Sequence, residues 1–261
     1  MAIPRRLAFF DMSRTPSNVG PIAVGGVGGS GTRVVAAIVR QMGVFFGDNL
    51  NHENDNLDYP GLERSVGVRA ESAPFVTAEE MAAFATLMQS RFERGGTDSW
   101  AWGWKNPPTY LSLSDFAGHF PSLRYVHVIR NGLDMAFSAN HNQVRRWGHL
   151  FGISYGKPSK SRSALAYWVA ANDLALAQGV RVLGERFHLL VFDELVEEPE
   201  PVVWKLAEFL ELNAAPEMVA AAVDLVGSPP TVGRHRDRRA MKKFGADELA
   251  AVERFGFGIK I

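Results

Sequence analysis

Five glycines fall within seven residues, Gly25, Gly26, Gly28, Gly29 and Gly31, inside the stretch PIAVGGVGGSGTRVVAAIVRQMG that runs from residue 21 to 43. The apolar run Ile22-Ala23-Val24 leads into them. Beyond them Val35, Ile38, Val39 and Met42 recur at three- and four-residue spacing, which puts them on one helix face. Strand, glycine loop and helix in that order gather backbone N–H groups at a helix N-terminus, where an anion binds well. Glycine supplies positive φ angles and lets a ligand approach the main chain. Ser30 and Thr32 add hydroxyl donors where the helix begins. The loop is of the phosphate-binding kind, and its neighbours decide which phosphate it suits.

The ATP and GTP pattern, G-x-x-x-x-G-K-[ST], sets a lysine on the terminal phosphates and a hydroxyl on Mg²⁺. Counted from Gly26, the second glycine is Gly31, but the lysine position holds Thr32 and the hydroxyl position holds Arg33. Triphosphate chemistry therefore lacks both of its groups. The dinucleotide pattern G-x-G-x-x-G also fits Gly26, Gly28 and Gly31, with Asp48 placed to meet a ribose. A single match of that kind is weak. Glycine turns without a ligand would also produce it, at a cost in chain entropy that this density makes large.

The 261 residues suffice for one large α/β domain or two small ones, and 46% hydrophobic with 21% charged residues is ordinary globular composition. Lys+Arg and Asp+Glu are equal at 28 each, so global charge does not single out a polyanion, and steering falls to local patches. The absence of cysteine excludes a disulfide framework, a thiol nucleophile and thiolate metal sites. MAIPRRLAFFDMSR at the N-terminus is too poor in apolar residues for a signal-peptide core, and no apolar run approaches the roughly 20 residues of a membrane span. The expectation is a soluble, cytoplasmic protein with no nucleic-acid partner, no bound metal and no membrane span. Its oligomeric state has no signature in the sequence.

Residues 1–20 read as an irregular lead-in. Val44-Phe45-Phe46 reads as a short buried strand running into GDNLNHENDNLDYPG. Asp48, His52, Glu53, Asp55 and Asp58 thus fall beyond a strand's carboxyl end, where ligands of open parallel sheets sit. The periodicity predicts a helix over 78–94, with Met81, Phe84, Ala85, Met88 and Phe92 on one face. Trp100, Trp102 and Trp104 alternate along a strand that Lys105-Asn106-Pro107-Pro108 ends, since proline cannot continue a ladder. Lys105 then reads as a lone cation at a strand end. A helix over 113–120 and a strand over 125–129 follow. Arg130 ends that strand, and Ser138 lies eight residues on, in a helix expected to run through Ala139. An arginine fork there matches phosphate oxygens.

Helices over 163–184, 201–212 and 216–226 and a strand over 187–192 complete the alternation. The basic run from Arg234 to Lys243 suits a lid over a bound nucleotide. The expectation is one doubly wound α/β domain over residues 1–261, its mostly parallel sheet flanked by helices, with residues 227–261 as a basic C-terminal lid.

Together these landmarks resemble the sulfotransferases that use 3′-phosphoadenosine 5′-phosphosulfate (PAPS), a likeness that spans nearly the whole chain in the family's order and spacing. GGVGGSGTR is similar to the family's 5′-phosphosulfate loop. WKNPPTYLSL resembles its lysine–proline segment and FPSLRYVHVIRNGLDMAFS its 3′-phosphate motif. FDELVEEPEPVVWKLAEFLEL resembles its acidic-Leu turn and helix, and TVGRHRD its C-terminal Gly-Arg loop. The resemblance implies a P-loop NTPase-like fold and PAPS as cofactor, released as adenosine 3′,5′-bisphosphate. It implies a 5′-side cradle of Gly28, Gly29, Ser30, Gly31, Thr32 and Arg33. Arg130 and Ser138 would hold the 3′-phosphate, with Gly233 and Arg234 covering it. Such a donor has no β- or γ-phosphate and its transfer needs no Mg²⁺, so the missing Walker residues are not required.

One departure from the family bears on catalysis. Many members carry Lys or Arg directly before Ser-Gly-Thr, where this chain has Gly29. Charge developing as sulfate leaves then needs another cation, and Lys105 and Arg33 are the candidates. For the general base Asp48 stands first, just after the second strand, with Glu53, Asp55 and His52 behind it. The implied reaction is in-line attack of an acceptor hydroxyl on sulfur. The tryptophan strand suggests stacking on a sugar ring, hence a carbohydrate or glycolipid hydroxyl, or another small-molecule acceptor. Two other classes stay open: a noncatalytic nucleotide-binding protein with a degenerate loop, which Gly29 suggests, and, less favoured, a Mg²⁺-dependent small-metabolite kinase.

Overall fold

The computed structural model describes residues 20–60, 76–95, 99, 101–227, 231–233 and 242–258. Five strands form its sheet: β1 (Ile22–Gly26), β2 (Val44–Phe45), β3 (Ala101–Lys105), β4 (Arg124–Ile129) and β5 (Phe187–Val191). Their order is β2-β3-β1-β4-β5, and every pairing is parallel. β1 is central, buried at all five positions, with Val24 opposite Lys105 of β3 and Gly26 opposite Val128 of β4.

The helices cover both faces because the strand pattern is apolar on both. Ile22 and Val24 pack with Val35, Ile38 and Val39 of α1 (Thr32–Gln41), and with α8 (Pro199–Phe209) and α9 (Pro216–Val223). Ala23 faces the other core, built from α2 (Ala78–Arg94), α3 (Leu113–His119) and α6 (Lys160–Leu183). Three shorter helices, α4 (Gly132–Ala136), α5 (Asn142–Trp147) and α7 (Phe192–Glu197), follow strand ends or line the site, and α10 (Ala246–Glu253) packs on α6. The chain leaves β1 for the β2 side of the sheet and leaves β4 for β5 on the opposite side. The direction reverses between β1 and β4, and a crevice opens there beyond their carboxyl ends.

Local chemistry sets the boundaries. Thr77 and Glu80 form a capping box that starts α2 at its expected residue. Ser159 accepts the N–H of Arg162, so α6 begins three residues before the expected 163. α4 stops at Ala136 and does not run through Ala139. Ser138 Oγ accepts the N–H of Asn140, a local bond that competes with helix. No helix of the described residues is long and apolar enough to cross a membrane.

The tryptophan strand is core. Trp104 is fully buried, with its ring centroid 5.5 Å from Phe84 and 5.1 Å from Phe116. Trp102 lies 6.1 Å from Trp104 on the same face of β3 and packs edge-on against Phe84 and Phe120. Trp104 offers no face to a sugar ring, Trp102 is partly buried, and Trp100 lies outside the described residues.

Candidate nucleotide and acceptor site

Gly26, Gly29 and Gly31 take φ angles of 153°, 96° and 102°, conformations that side-chain-bearing residues rarely adopt. Space forces glycine at two of them. A Cβ on Gly26 would lie 2.4 Å from the Val128 carbonyl oxygen, and one on Gly31 would lie 2.1 Å from the Phe192 ring. At Gly29 the nearest atom, Met135 Cε, would be 3.4 Å away, so backbone strain rather than crowding opposes a side chain there. The loop closes where the Ser30 N–H donates to the Val27 carbonyl at 3.0 Å. Ser30 Oγ is fully buried and, among the described residues, has no hydrogen-bond partner. Leaving a buried hydroxyl unsatisfied costs about 1–3 kcal/mol, so this one is poised for a ligand oxygen. Among the described residues no side chain caps α1, which leaves first-turn N–H groups open to an anion. Thr32 begins that turn and is buried.

Arg130 and Ser138 converge on this loop. The Arg130 guanidinium carbon lies 5.5 Å from the Phe192 ring centroid, so one ring touches both Arg130 and the Gly31 position. Ser138 Oγ lies 3.8 Å from where a Gly29 Cβ would sit. Arg130 Nη2 donates to Thr231 Oγ1 at 3.0 Å, and the Gly233 N–H donates to the buried Asp134 carboxylate at 2.8 Å. The segment 231–233 is thereby tied to the end of β4 and to α4. Asp193 accepts the Asn131 N–H at 3.0 Å, and burial raises its carboxyl pKa. Arg234 lies outside the described residues, as does much of the basic run.

Three of the four sequence-derived catalytic candidates cluster. Lys105 is not the lone cation its sequence context suggests: Nζ donates to Asp55 Oδ1 at 2.5 Å and to the Glu53 carbonyl at 3.0 Å. Burial lowers the ammonium pKa, and the Asp55 charge works against that shift. The Glu53 carboxylate meets Arg33 at 3.2 Å and His52 Nε2 at 3.1 Å. Buried amides hold this acidic loop on the sheet. Asn56 N–H donates to the Lys105 carbonyl, and Asn106 Nδ2 donates to the Asn56 carbonyl, both at 3.0 Å. Asp48 is the outlier. It is 69% exposed, pairs with Arg91 at 2.7 Å, and borders an open groove with Arg40 and Leu225.

Beside Gly28 opens a cavity of ≈190 Å³, bounded by Asp55, Asn106, Pro107, Leu111, Arg146 and Trp147 among others. Gly28 itself is not sterically required, since a Cβ would meet Gln143 at an ordinary 3.6 Å. Gln143, on α5, braces the loop. Its Nε2 donates to the Gly26 carbonyl at 3.3 Å, and its Oε1 accepts from Tyr110 OH at 3.3 Å. Tyr110 OH lies 2.6 Å from Tyr167 OH, and burial raises both phenols. No sequence pattern marks Gln143, 117 residues from its loop partner; only the fold joins them.

A parallel sheet with a glycine cradle at its reversal point, backed by a second cationic position, defines a protein of the P-loop-like fold. The family model described as "Sulfotransferase family" matches residues 21–216, and the chain belongs to that family. Solved structures agree at the level of fold. The sulfotransferase domain of the Synechococcus PCC 7002 olefin synthase is 15% identical, with a TM-score of 0.51 over 92% of this chain and 95% of its own. The sulfotransferase domain from the curacin biosynthetic pathway gives 17% and 0.53, over 92% and 99%. A sulfotransferase from Alicyclobacillus acidocaldarius gives 17% and 0.52, over 90% and 95%. No curated protein is similar enough to match the chain.

Proposed function

We propose that this protein transfers a sulfuryl group from PAPS to the hydroxyl of a small acceptor held in the cavity beside Gly28. The observation that carries the reading is the Ser30 hydroxyl, buried and, among the described residues, without a partner in a left-handed glycine loop. Such an atom fits a phosphate or sulfate oxygen. The nearness of Ser138 to Gly29 and of Arg130 to Phe192 supports a second anion site on the same ligand. A 3′,5′-substituted nucleotide has two such anions, whereas ATP would ask for the lysine that Thr32 replaces.

The donor supplies an electrophilic sulfur and a phosphate leaving group. The cradle of Gly28–Arg33 holds the 5′ side through backbone N–H groups and the Ser30 and Thr32 hydroxyls. Arg130 and Ser138 hold the 3′-phosphate, with Gly233 over it. Asp55, on the cavity wall beside Gly28, is the favoured proton acceptor for the attacking hydroxyl. Glu53 is one step away through Arg33, and the exposed, Arg91-bound Asp48 recedes.

The Lys105–Asp55 pair then has a direct role. As an ion pair it is neutral and tolerates burial. Once Asp55 takes the acceptor's proton, Lys105 is left as an uncompensated cation at the moment when negative charge grows on the departing phosphate. One such preorganised charge is worth about 3–4 kcal/mol of transition-state stabilisation. It fills the place that Gly29 vacates.

Calorimetry with adenosine 3′,5′-bisphosphate, AMP and ATP with Mg²⁺, beside a transfer assay from PAPS to a panel of phenols and alcohols, tests the proposal. Bisphosphate should bind at least tenfold tighter than AMP, and sulfate esters should form. Preference for Mg²⁺-ATP would replace it with a kinase. Tight bisphosphate binding without any transfer would favour a noncatalytic nucleotide-binding protein.

A further inference from the structure

The cavity beside Gly28 has a charge pattern that sulfuryl transfer alone does not require. Its carboxylate, Asp55, is already neutralised by Lys105. Its other charged wall residue, Arg146 of α5, has no carboxylate partner among the described residues. The Arg146 guanidinium carbon lies 5.9 Å from the Trp147 ring. The adjacent Arg145 is engaged elsewhere, 4.7 Å over the Tyr155 ring and bonded to its hydroxyl at 3.3 Å. The short helix thus commits one arginine to its own packing and leaves the next on the cavity. The cavity wall also carries apolar Pro107, Leu111 and Trp147, beside polar Asn140, Asn142 and Gln143.

We infer that the acceptor is a compact hydroxy acid, and that Arg146 selects it by pairing with its carboxylate. This inference rests on the sulfuryl-transfer reading. The hydroxyl lies toward Gly28 and Asp55, a ring or short alkyl body fills the apolar stretch, and the acid group meets the guanidinium. Arginine suits this task because its planar fork matches a carboxylate and stacks on an aromatic neighbour. Scale agrees with a small body, since the cavity measures only ≈190 Å³. The Asp55 carboxylate does not repel the acid strongly, because Lys105 cancels its charge.

The test uses three matched phenols of like reactivity: 3-(4-hydroxyphenyl)propionate, its methyl ester and tyramine, which differ in charge at the far end. Their binding to the full-length protein saturated with adenosine 3′,5′-bisphosphate is read by calorimetry, and their turnover is read with PAPS. The acid should bind about tenfold tighter than the ester, with the amine weakest, and Arg146→Gln should bring the acid-to-ester ratio close to one. Equal binding of acid and ester, a ratio that survives Arg146→Gln, or no binding of any of the three overturns the inference. The two readings separate cleanly. Sulfation of all three without charge preference sinks the Arg146 assignment and leaves the transferase. Charge-selective binding without sulfation keeps the anion-selecting pocket and sinks the transferase.

Discussion

Lys105 Nζ and Asp55 Oδ1 stand 2.5 Å apart at the carboxyl end of β3, in a pair whose lysine side chain is only 3% exposed. Proton uptake by one member unmasks the charge of the other, which ties base and electrostatic catalyst together. Lys105→Ala should lower kcat by about two to three orders of magnitude, the roughly 3–4 kcal/mol expected for one preorganised charge, while bisphosphate affinity changes little. Asp55→Asn should lower kcat comparably. Because the two act as a unit, the double variant should be no slower than the worse single one. Steady-state kinetics and bisphosphate titration check this, and full turnover in Lys105→Ala would remove the pair from the mechanism.

Arg130→Ala should separate two nucleotides that differ only in a 3′-phosphate. A charge-assisted hydrogen bond is worth about 1.5–3 kcal/mol, so bisphosphate binding should weaken about 10- to 100-fold. AMP binding should move far less. Ser138→Ala should act in the same sense with a smaller loss. Equal weakening of both nucleotides by Arg130→Ala would place that residue away from the 3′ side.

Elements with one strong period are legible in the sequence: the helix over 78–94, the loop between β1 and α1, and the strand that ends at Arg130. Their patterns are local, and the fold only has to stack them. Pairings across the sheet were not legible. Lys105 and Asp55 are 50 residues apart, Gly26 and Gln143 are 117, and nothing in either neighbourhood names its partner. Asp48 looked suitable because it directly follows a strand, yet β2 is an edge strand, and its end leads to Arg91 rather than to the crevice between β1 and β4. The tryptophans were ambiguous for the same reason. Alternation fixed their shared face, but only the packing of Phe84 and Phe116 revealed that the face is interior.

Gly31→Ala and Gly28→Ala should part company. At Gly31 a Cβ meets the Phe192 ring at 2.1 Å on a backbone with φ 102°. Strain and overpacking together should destabilise the fold by roughly 3 kcal/mol or more. At Gly28 the nearest atoms are 3.6 Å away, so stability should change by less than about 1 kcal/mol. Denaturant midpoints measure both. Equal midpoints would mean that the loop does not press on Phe192 in solution.

His127 should set part of the acid limb of stability. It is fully buried on β4, with Nε2 2.8 Å from Asn172 Oδ1 and Nδ1 3.0 Å from Tyr125 OH. Burial pushes its pKa down from 6.5 to about 4, a shift the Asn172 bond only partly offsets. The unfolded chain therefore binds the proton more readily between pH 6.5 and 4. The neutral ring's contribution is fully present above pH 6.5 and is lost as the pH falls toward 4, an effect on the order of 3 kcal/mol. His127→Gln removes the titrating group, so the stability gap between wild type and variant should narrow by that amount from pH 7 to pH 4. Burial of the raised Asp193 carboxyl is common to both proteins and cancels in the difference. Urea midpoints across that range supply the measurement, and parallel curves would show that His127 keeps an ordinary pKa in the folded core.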